Sequence, residues 1–166
     1  MADKNISRGC IAPCGLRKKA WPRQPQRPRG KSPRRASVVT IRLAATADAG
    51  ALAELAEHTF REAFGAMNSP EDMALHCRQS YSPAQQTEEI LASDRATLLY
   101  ETAAGLAGYA QLRWGAAAPQ CITGPAPGEV LRFYVSSEHH GHGVATALMD
   151  AALELLAQRG CRTAWL

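Results

Sequence analysis

The stretch from Glu129 to Met149, EVLRFYVSSEHHGHGVATALM, constrains this chain more than any other part of it. An apolar strand pattern, Leu131, Phe133 and Val135, passes through a glycine-bearing turn directly into a helical pattern, Val144, Leu148, Ala151, Leu155 and Leu156. Gly141 and Gly143 let the backbone turn sharply and come close to a ligand. The helix that follows begins with N–H groups lacking an intrahelical partner and with the positive end of its dipole, so the three elements together form a cradle for a phosphate. Gly160 stands where a helix C-cap is expected, and Cys161 to Leu166 starts another strand-like run.

A dinucleotide fold also places a glycine turn between a strand and a helix. It requires Gly-x-Gly-x-x-Gly early in a βαβ unit, with an acidic residue about twenty positions later. Here position 146 is threonine and the turn comes late in the sequence, so that fold is disfavoured.

The remaining pattern supplies a sheet for the cradle to sit on. Val38 to Leu43 alternates like a strand, and Asp48 is placed to cap a helix with Leu52, Leu55, Ala56, Phe60, Ala63 and Phe64 on one face. Asn68-Ser69-Pro70 breaks that helix, Pro70 opens a second one through about Tyr81, and Ser82-Pro83 opens a third ending near Ser93. Thr97 to Thr102 and Leu106 to Trp114 read as strands around a turn at Ala103-Ala104-Gly105, and a Pro/Gly-rich loop, Ala116 to Gly128, leads to the strand before the cradle. The expected class is α/β (α+β), a mixed sheet with helices on its faces.

The six residues His140-Gly141-His142-Gly143-Val144-Ala145 fit the signature Gln/Arg-x-x-Gly-x-Gly/Ala, with His140 where Gln or Arg is usual. In this the chain resembles the GCN5-related N-acetyltransferases, the GNAT superfamily of acyl-CoA N-acyltransferases. Over residues 39 to 166 the segments NSPEDM (68 to 73), GYAQL (108 to 112), Glu129-x-x-Arg132-x-Tyr134 and Trp165-Leu166 are similar to the bacterial PaiA-type spermine/spermidine acetyltransferases. The resemblance implies acetyl-CoA as co-substrate, no metal, and direct transfer of the acetyl group to a primary amine, a polyamine or similar small amine. It implies that the backbones of Phe133 and Val135 hold the pantetheine arm. The turn and helix start at His140, Gly141, His142, Gly143, Val144, Ala145 and Thr146 would take the pyrophosphate, the amides from His142 to Thr146 facing it. Glu129 would bind the ammonium or relay its proton through water. Tyr134 is a further acid candidate, but strict strand alternation puts it on the opposite face from Glu129, so without a bulge it reads as core.

Relatives of this kind continue through another helix and two strands that supply the usual tyrosine acid, whereas here Leu166 falls inside a strand. The domain at 38 to 166 is therefore expected to be incomplete at its C-terminus, lacking its last helix and strands, with an exposed sheet edge that would allow a homo-oligomer. A non-catalytic CoA-binding or interaction protein is the competing expectation.

Charge divides the chain. Residues 1 to 36 hold eleven of the nineteen Lys and Arg and one acid, a net of +10, while the remainder carries eight Arg against fourteen acids, a net of −6. The basic part also holds five of the ten prolines and has no apolar periodicity, so it reads as a disordered tail or as sequence upstream of a true start near Val38 or Val39. One Trp without a stacking platform argues against a nucleic-acid arm, and the prolines argue against an amphipathic presequence. No apolar run reaches the roughly 18 residues of a membrane span, and the five scattered cysteines suit reduced thiols, so a cytoplasmic protein is expected. His139, His140 and His142 could suggest a metal, but a turn that presents amides to a phosphate does not present three imidazoles to one ion.

Overall fold

The computed structural model describes residues 39–166, so the expectations for residues 1 to 36 lie outside it. In chain order the elements are β1 (Thr40–Leu43), α1 (Ala49–Phe64), α2 (Pro70–Ser80), α3 (Pro83–Leu91), β2 (Arg95–Thr102), β3 (Gly105–Trp114), β4 (Pro127–Val135), α4 (Val144–Gln158) and β5 (Thr163–Trp165). The five strands form one sheet in the order β1-β2-β3-β4-β5. The first three pairings are antiparallel, and β5 returns parallel to β4 through the crossover helix α4. This is the mixed α/β architecture that the sequence pattern leads one to expect.

Local chemistry explains the helix boundaries. Ser69 and Ser82 each accept the backbone N–H three residues on, from Asp72 at 3.1 Å and Gln85 at 3.2 Å, and each is followed by a proline in the first turn. At the end of α4, Gly160 takes φ +84, and Cys161 N–H reaches back to the Leu156 carbonyl at 3.0 Å, which closes the helix as the glycine predicted. Asp48 behaves differently from expectation. It ends a short 3₁₀ turn, Thr46–Asp48, and its carboxylate turns away from α1 to accept the Ala45 N–H at 2.8 Å and two bonds from Arg42.

Two apolar clusters clamp the sheet. On one face Leu98, Ala110, Leu112 and Val130 pack against Val144, Leu148, Ala152 and Leu156 of α4. On the other, Leu99 and Tyr109 pack against Leu52, Leu55 and Ala56 of α1 and Met73 and Cys77 of α2. A side chain such as the fully buried Leu148 contributes about 1.5–3 kcal/mol through its removal from water. The apolar face of α4 thus fixes the helix, and the helix start, to the sheet.

One irregularity in β4 revises two sequence expectations. Gln111 pairs with Arg132 but Leu112 pairs with Val130, so Leu131 is an extra residue, a β-bulge. Beyond the bulge the parity of β4 flips. Leu131 therefore does not share a face with Phe133 and Val135; Val130 does, in the cluster beneath α4. Tyr134 lies on the same face as Glu129, because their partners Tyr109 and Arg113 are an even number of residues apart on β3.

Candidate active site

At the end of β4 the sheet opens. The Ser136 N–H donates to the Ala107 carbonyl at 2.9 Å, so the backbone of Ser136 and Tyr134 faces β3, and that of Phe133 and Val135 faces the opposite side. On that opposite side β5 pairs only with Pro127, Gly128 and Glu129. The outward N–H and C=O groups of Phe133 and the N–H of Val135 are thus left at an opening in the sheet, open to an extended ligand, while the Val135 carbonyl is engaged within the turn.

Two adjoining cavities occupy this opening. One, about 400 Å³, lies between α1 and the end of β4 and is lined by Thr59, Glu62, Ala63, Phe133, Tyr134, Val135, Ser137, His140 and Ala145. The other, about 430 Å³, follows the turn and helix start, with Val135, His139, His140, Gly141, Gly143, Val144, Ala145 and Thr146 as its walls. Val135, His140 and Ala145 border both, which makes one continuous path from the sheet opening to the N-terminus of α4.

Gly141 and Gly143 adopt φ +77 and +81, a left-handed backbone that other residues take only with strain, and no atom stands within 4 Å of where a Cβ would lie on either. The first bond of α4 runs from the Ala147 N–H to the Gly143 carbonyl at 3.0 Å, so the amides of Val144, Ala145 and Thr146 precede the helical ladder. These features fit a pyrophosphate: open space above glycine backbone, amide donors and a helix dipole. His142 belongs to the turn and is exposed, but it lines neither cavity. His140, in the place of the usual Gln or Arg, folds back so that Nε2 lies 2.9 Å from the Val135 carbonyl and ties the turn to the strand end.

Glu62 is a member of the site that sequence reasoning missed. Its carboxylate accepts from both the N–H and the hydroxyl of Ser137, 75 residues away, and pairs with His58 at 3.3 Å. The Ser137 hydroxyl, against a smaller opposing effect of burial, holds the carboxyl below its ordinary range. Only the register of a folded α1 against the end of β4 reveals this contact.

Tyr134 also enters the cleft, which the bulge makes available to it. Its ring stacks on Tyr109 at 5.7 Å between centroids, and burial pushes its phenol pKa up, opposed by the Arg132 charge and by a hydrogen bond with Tyr81. Arg132 lies 5.3 Å over the Tyr81 ring and is held by the buried Glu89 at 2.7 Å and by the Gln111 side-chain oxygen at 3.0 Å. Glu129, by contrast, lines neither cavity. It sits beside β5, its side chain largely covered, and accepts from the Arg113 guanidinium at 2.8 Å. At about 3.3 Å per residue, it lies some 15 Å down the strand from Tyr134.

Among the described residues no three His, Cys, Asp or Glu side chains cluster as a metal site, and no helix is long and apolar enough to cross a membrane.

Similarity to known proteins agrees with this geometry. Among solved structures, the chain is similar to the PaiA N-acetyltransferase of Thermoplasma acidophilum in complex with coenzyme A, with a TM-score of 0.63 and 22% identity over 74% of each chain. A GCN5-related N-acetyltransferase from Ralstonia eutropha gives a TM-score of 0.60 at 20% identity, covering 77% of this chain and 82% of that one. The aminoglycoside N-acetyltransferase AAC(6')-Iy, also in complex with CoA, gives 0.57 at 18% identity over 78% and 76%. At these identities the likeness is one of fold. Residues 52–166 match the acetyltransferase (GNAT) family, and since that match spans well over half of the sequence, the chain belongs to the GNAT family of acetyltransferases.

Proposed function

We propose that the protein transfers the acetyl group of acetyl-CoA directly to a primary amine of a small molecule. The observation that carries this reading is the continuous path from the outward backbone of Phe133 and the Val135 N–H to the amides at the start of α4. The first part matches the amide-bearing pantetheine arm, the second the pyrophosphate. Holding the thioester along β4 beside a bound amine replaces a bimolecular encounter by a local one.

The neutral amine nitrogen attacks the thioester carbonyl carbon, the nitrogen releases its second proton to solvent as the carbon–sulfur bond breaks, and the departing thiolate takes a proton. Tyr134, which lines the cleft, is the proposed donor of that proton, and burial keeps its hydroxyl protonated at neutral pH. Glu129 is proposed to receive the proton lost by the ammonium through intervening water, with Arg113 fixing its orientation. A polyamine acceptor follows from the PaiA-type segments and suits a domain whose residues 37 to 166 carry a net charge of −6. An aminoglycoside, which the fold relative AAC(6')-Iy is named for, belongs to the same polycationic class. A cytoplasmic location is part of the same reading.

Calorimetry with CoA, followed by turnover of acetyl-CoA with polyamines, diamines, aminoglycosides and peptide N-termini, tests this. CoA should bind, and Gly143→Glu should abolish binding by straining the turn and placing a carboxylate at the phosphate position. Tyr134→Phe should lower kcat by about a hundredfold, the scale of a positioned acid, with CoA affinity unchanged. A folded sample that binds no CoA removes the reading; one that binds CoA and acetylates none of the amines supports the non-catalytic alternative.

A further inference from the structure

One carboxylate in the cleft has no guanidinium or ammonium to match it. Asp48, Glu89 and Glu129 are held by the guanidinium groups of Arg42, Arg132 and Arg113 respectively. Among the described residues Glu62 pairs only with His58, at 3.3 Å, and no Lys or Arg lines either cavity. Glu62 lines the same cavity as Tyr134, and its side chain, 30% exposed, can be reached by a solute. Its two oxygens are unequally used. Oε1 accepts the Ser137 hydroxyl and faces His58, while Oε2 accepts only the Ser137 N–H, at 3.3 Å. A carboxylate has about four lone-pair sites, so Oε2 keeps one for a further donor. The Ser137 hydroxyl holds the carboxyl below its ordinary range, which leaves it an anion at neutral pH.

We propose that Glu62 binds a second, non-reacting ammonium of the acceptor, so that the site selects amines carrying at least two cationic groups. This rests on the reading of the cleft as the site of acetyl transfer, and it names the residue through which that site tells a diamine from a monoamine. The reacting nitrogen must be neutral to attack, and a carboxylate favours the charged form of an amine beside it. Glu62 therefore suits the nitrogen that stays protonated, not the one that reacts. An alkylammonium supplies both the N–H donors and the positive charge that the cavity walls lack. Ala63, Phe133, Val135 and Ala145 of the same cavity give a methylene chain between the two nitrogens an apolar wall. The two bonds from Ser137 already fix the carboxylate, so an ammonium binding there has little side-chain freedom to remove. His140, the imidazole on the same wall, is committed through Nε2 to the Val135 carbonyl at 2.9 Å.

The test compares butane-1,4-diamine with butylamine, which has the same carbon chain and one nitrogen fewer. Dissociation constants on the CoA-saturated protein come from calorimetry or ligand-observed NMR and need no turnover, and KM for each amine is taken at saturating acetyl-CoA. The wild type should bind the diamine at least about fivefold more tightly, the scale of an ion pair that keeps part of its solvent contact, with KM values in the same order. Glu62→Gln keeps the shape and removes the charge, so it should bring the two amines within about twofold, the statistical factor for a diamine with two equivalent ends. Ser137→Ala loosens the same turn and keeps the carboxylate, so it should retain the preference even where CoA affinity falls. In the wild type itself, raising salt to about 0.5 M should shrink the preference, a readout that needs no variant to fold. The melting temperature of each ligand-free variant checks folding. Equal affinity of the wild type for the two amines, a preference that survives in a folded Glu62→Gln, or one lost equally in Ser137→Ala would each overturn the assignment while leaving acetyl transfer standing. A wild type that binds CoA and both amines but acetylates neither removes the transfer reading, and the binding comparison still decides for or against Glu62. One that binds no CoA overturns both.

Discussion

The two faces of the sheet share the same central strands and each carries an apolar cluster, but only one of them adds charged side chains to it. Beneath α4 every contacting side chain of the buried cluster is uncharged, and nearly all are aliphatic. Toward α1, α2 and α3 the strands present Gln111, Arg113, Glu129 and Arg132, and the buried Glu89 of α3 gathers Gln111 at 2.8 Å, Arg132 at 2.7 Å and Gln85 at 3.2 Å. Apolar burial is strong and without direction, which suffices to keep the N-terminus of α4 at the end of β4. A buried ion network is directional and gains little net stability, because desolvation offsets most of the attraction. What it fixes is geometry: Arg132 against Tyr81, with Tyr134 beside it at the cleft. One face holds the start of α4 in place and the other orients the side chains at the cleft.

The largest effect should come from breaking the apolar face. Leu148 is fully buried against the sheet, so Leu148→Ala should cost about 3 kcal/mol in urea denaturation and weaken CoA binding as the helix start loosens. A loss under about 1 kcal/mol would mean that α4 is anchored elsewhere.

Breaking the polar face by one residue should cost somewhat less. Glu89→Ala leaves Arg132 without its carboxylate, and since Arg132 keeps 21% of its side chain in solvent, a loss of about 2 kcal/mol is expected. The informative variant is the double one, Glu89→Leu with Arg132→Met. It should recover most of the stability and leave turnover low, because an apolar pair packs without orienting Tyr81 and Tyr134. Full turnover in the double variant would reduce the network to a structural role and erase the contrast between the faces.

That contrast also explains what the sequence made legible. Features that depend on neighbours in the chain could be read directly: the period of α4, the glycine turn, the Ser-Pro helix starts, and the closing Gly160. The cradle belongs to that class, because strand end, turn and helix start are consecutive. The polar face does not. Glu89 meets Gln111 across 22 residues and Arg132 across 43, and no local pattern encodes such meetings. The bulge at Leu131 follows from how β4 registers on β3, so alternation along β4 alone sent Tyr134 to the wrong face. His140 could be placed by sequence only at the Gln/Arg position of the signature, and the folded turn is needed to show its ring committed to Val135.

The smallest effect lies at the margins of both faces, in two carboxylates held below their ordinary range. Asp48 is held down first by the Arg42 guanidinium, in bonds of 2.7 and 2.9 Å, and Glu62 first by the Ser137 hydroxyl. In the unfolded chain both return to values near 4. A carboxylate that is more acidic when folded stabilises the fold above its unfolded pKa and loses that contribution as pH falls through its folded value. The urea midpoint should therefore be flat from about pH 7 to about pH 5 and fall below about pH 4. Asp48→Asn should lower the neutral plateau by under about 1 kcal/mol, since Arg42 keeps 35% of its side chain in water, and should make the acid decline shallower. Glu62→Gln should do the same more weakly, its side chain being 30% exposed against 18% for Asp48. Because Glu62 also borders the cleft, its variant carries a second signature: the turn at Ser137 loosens and CoA affinity falls, whereas Asp48→Asn leaves CoA affinity unchanged. An acid decline as steep in Asp48→Asn as in the wild type would show that its pairing with Arg42 contributes nothing to the folded state.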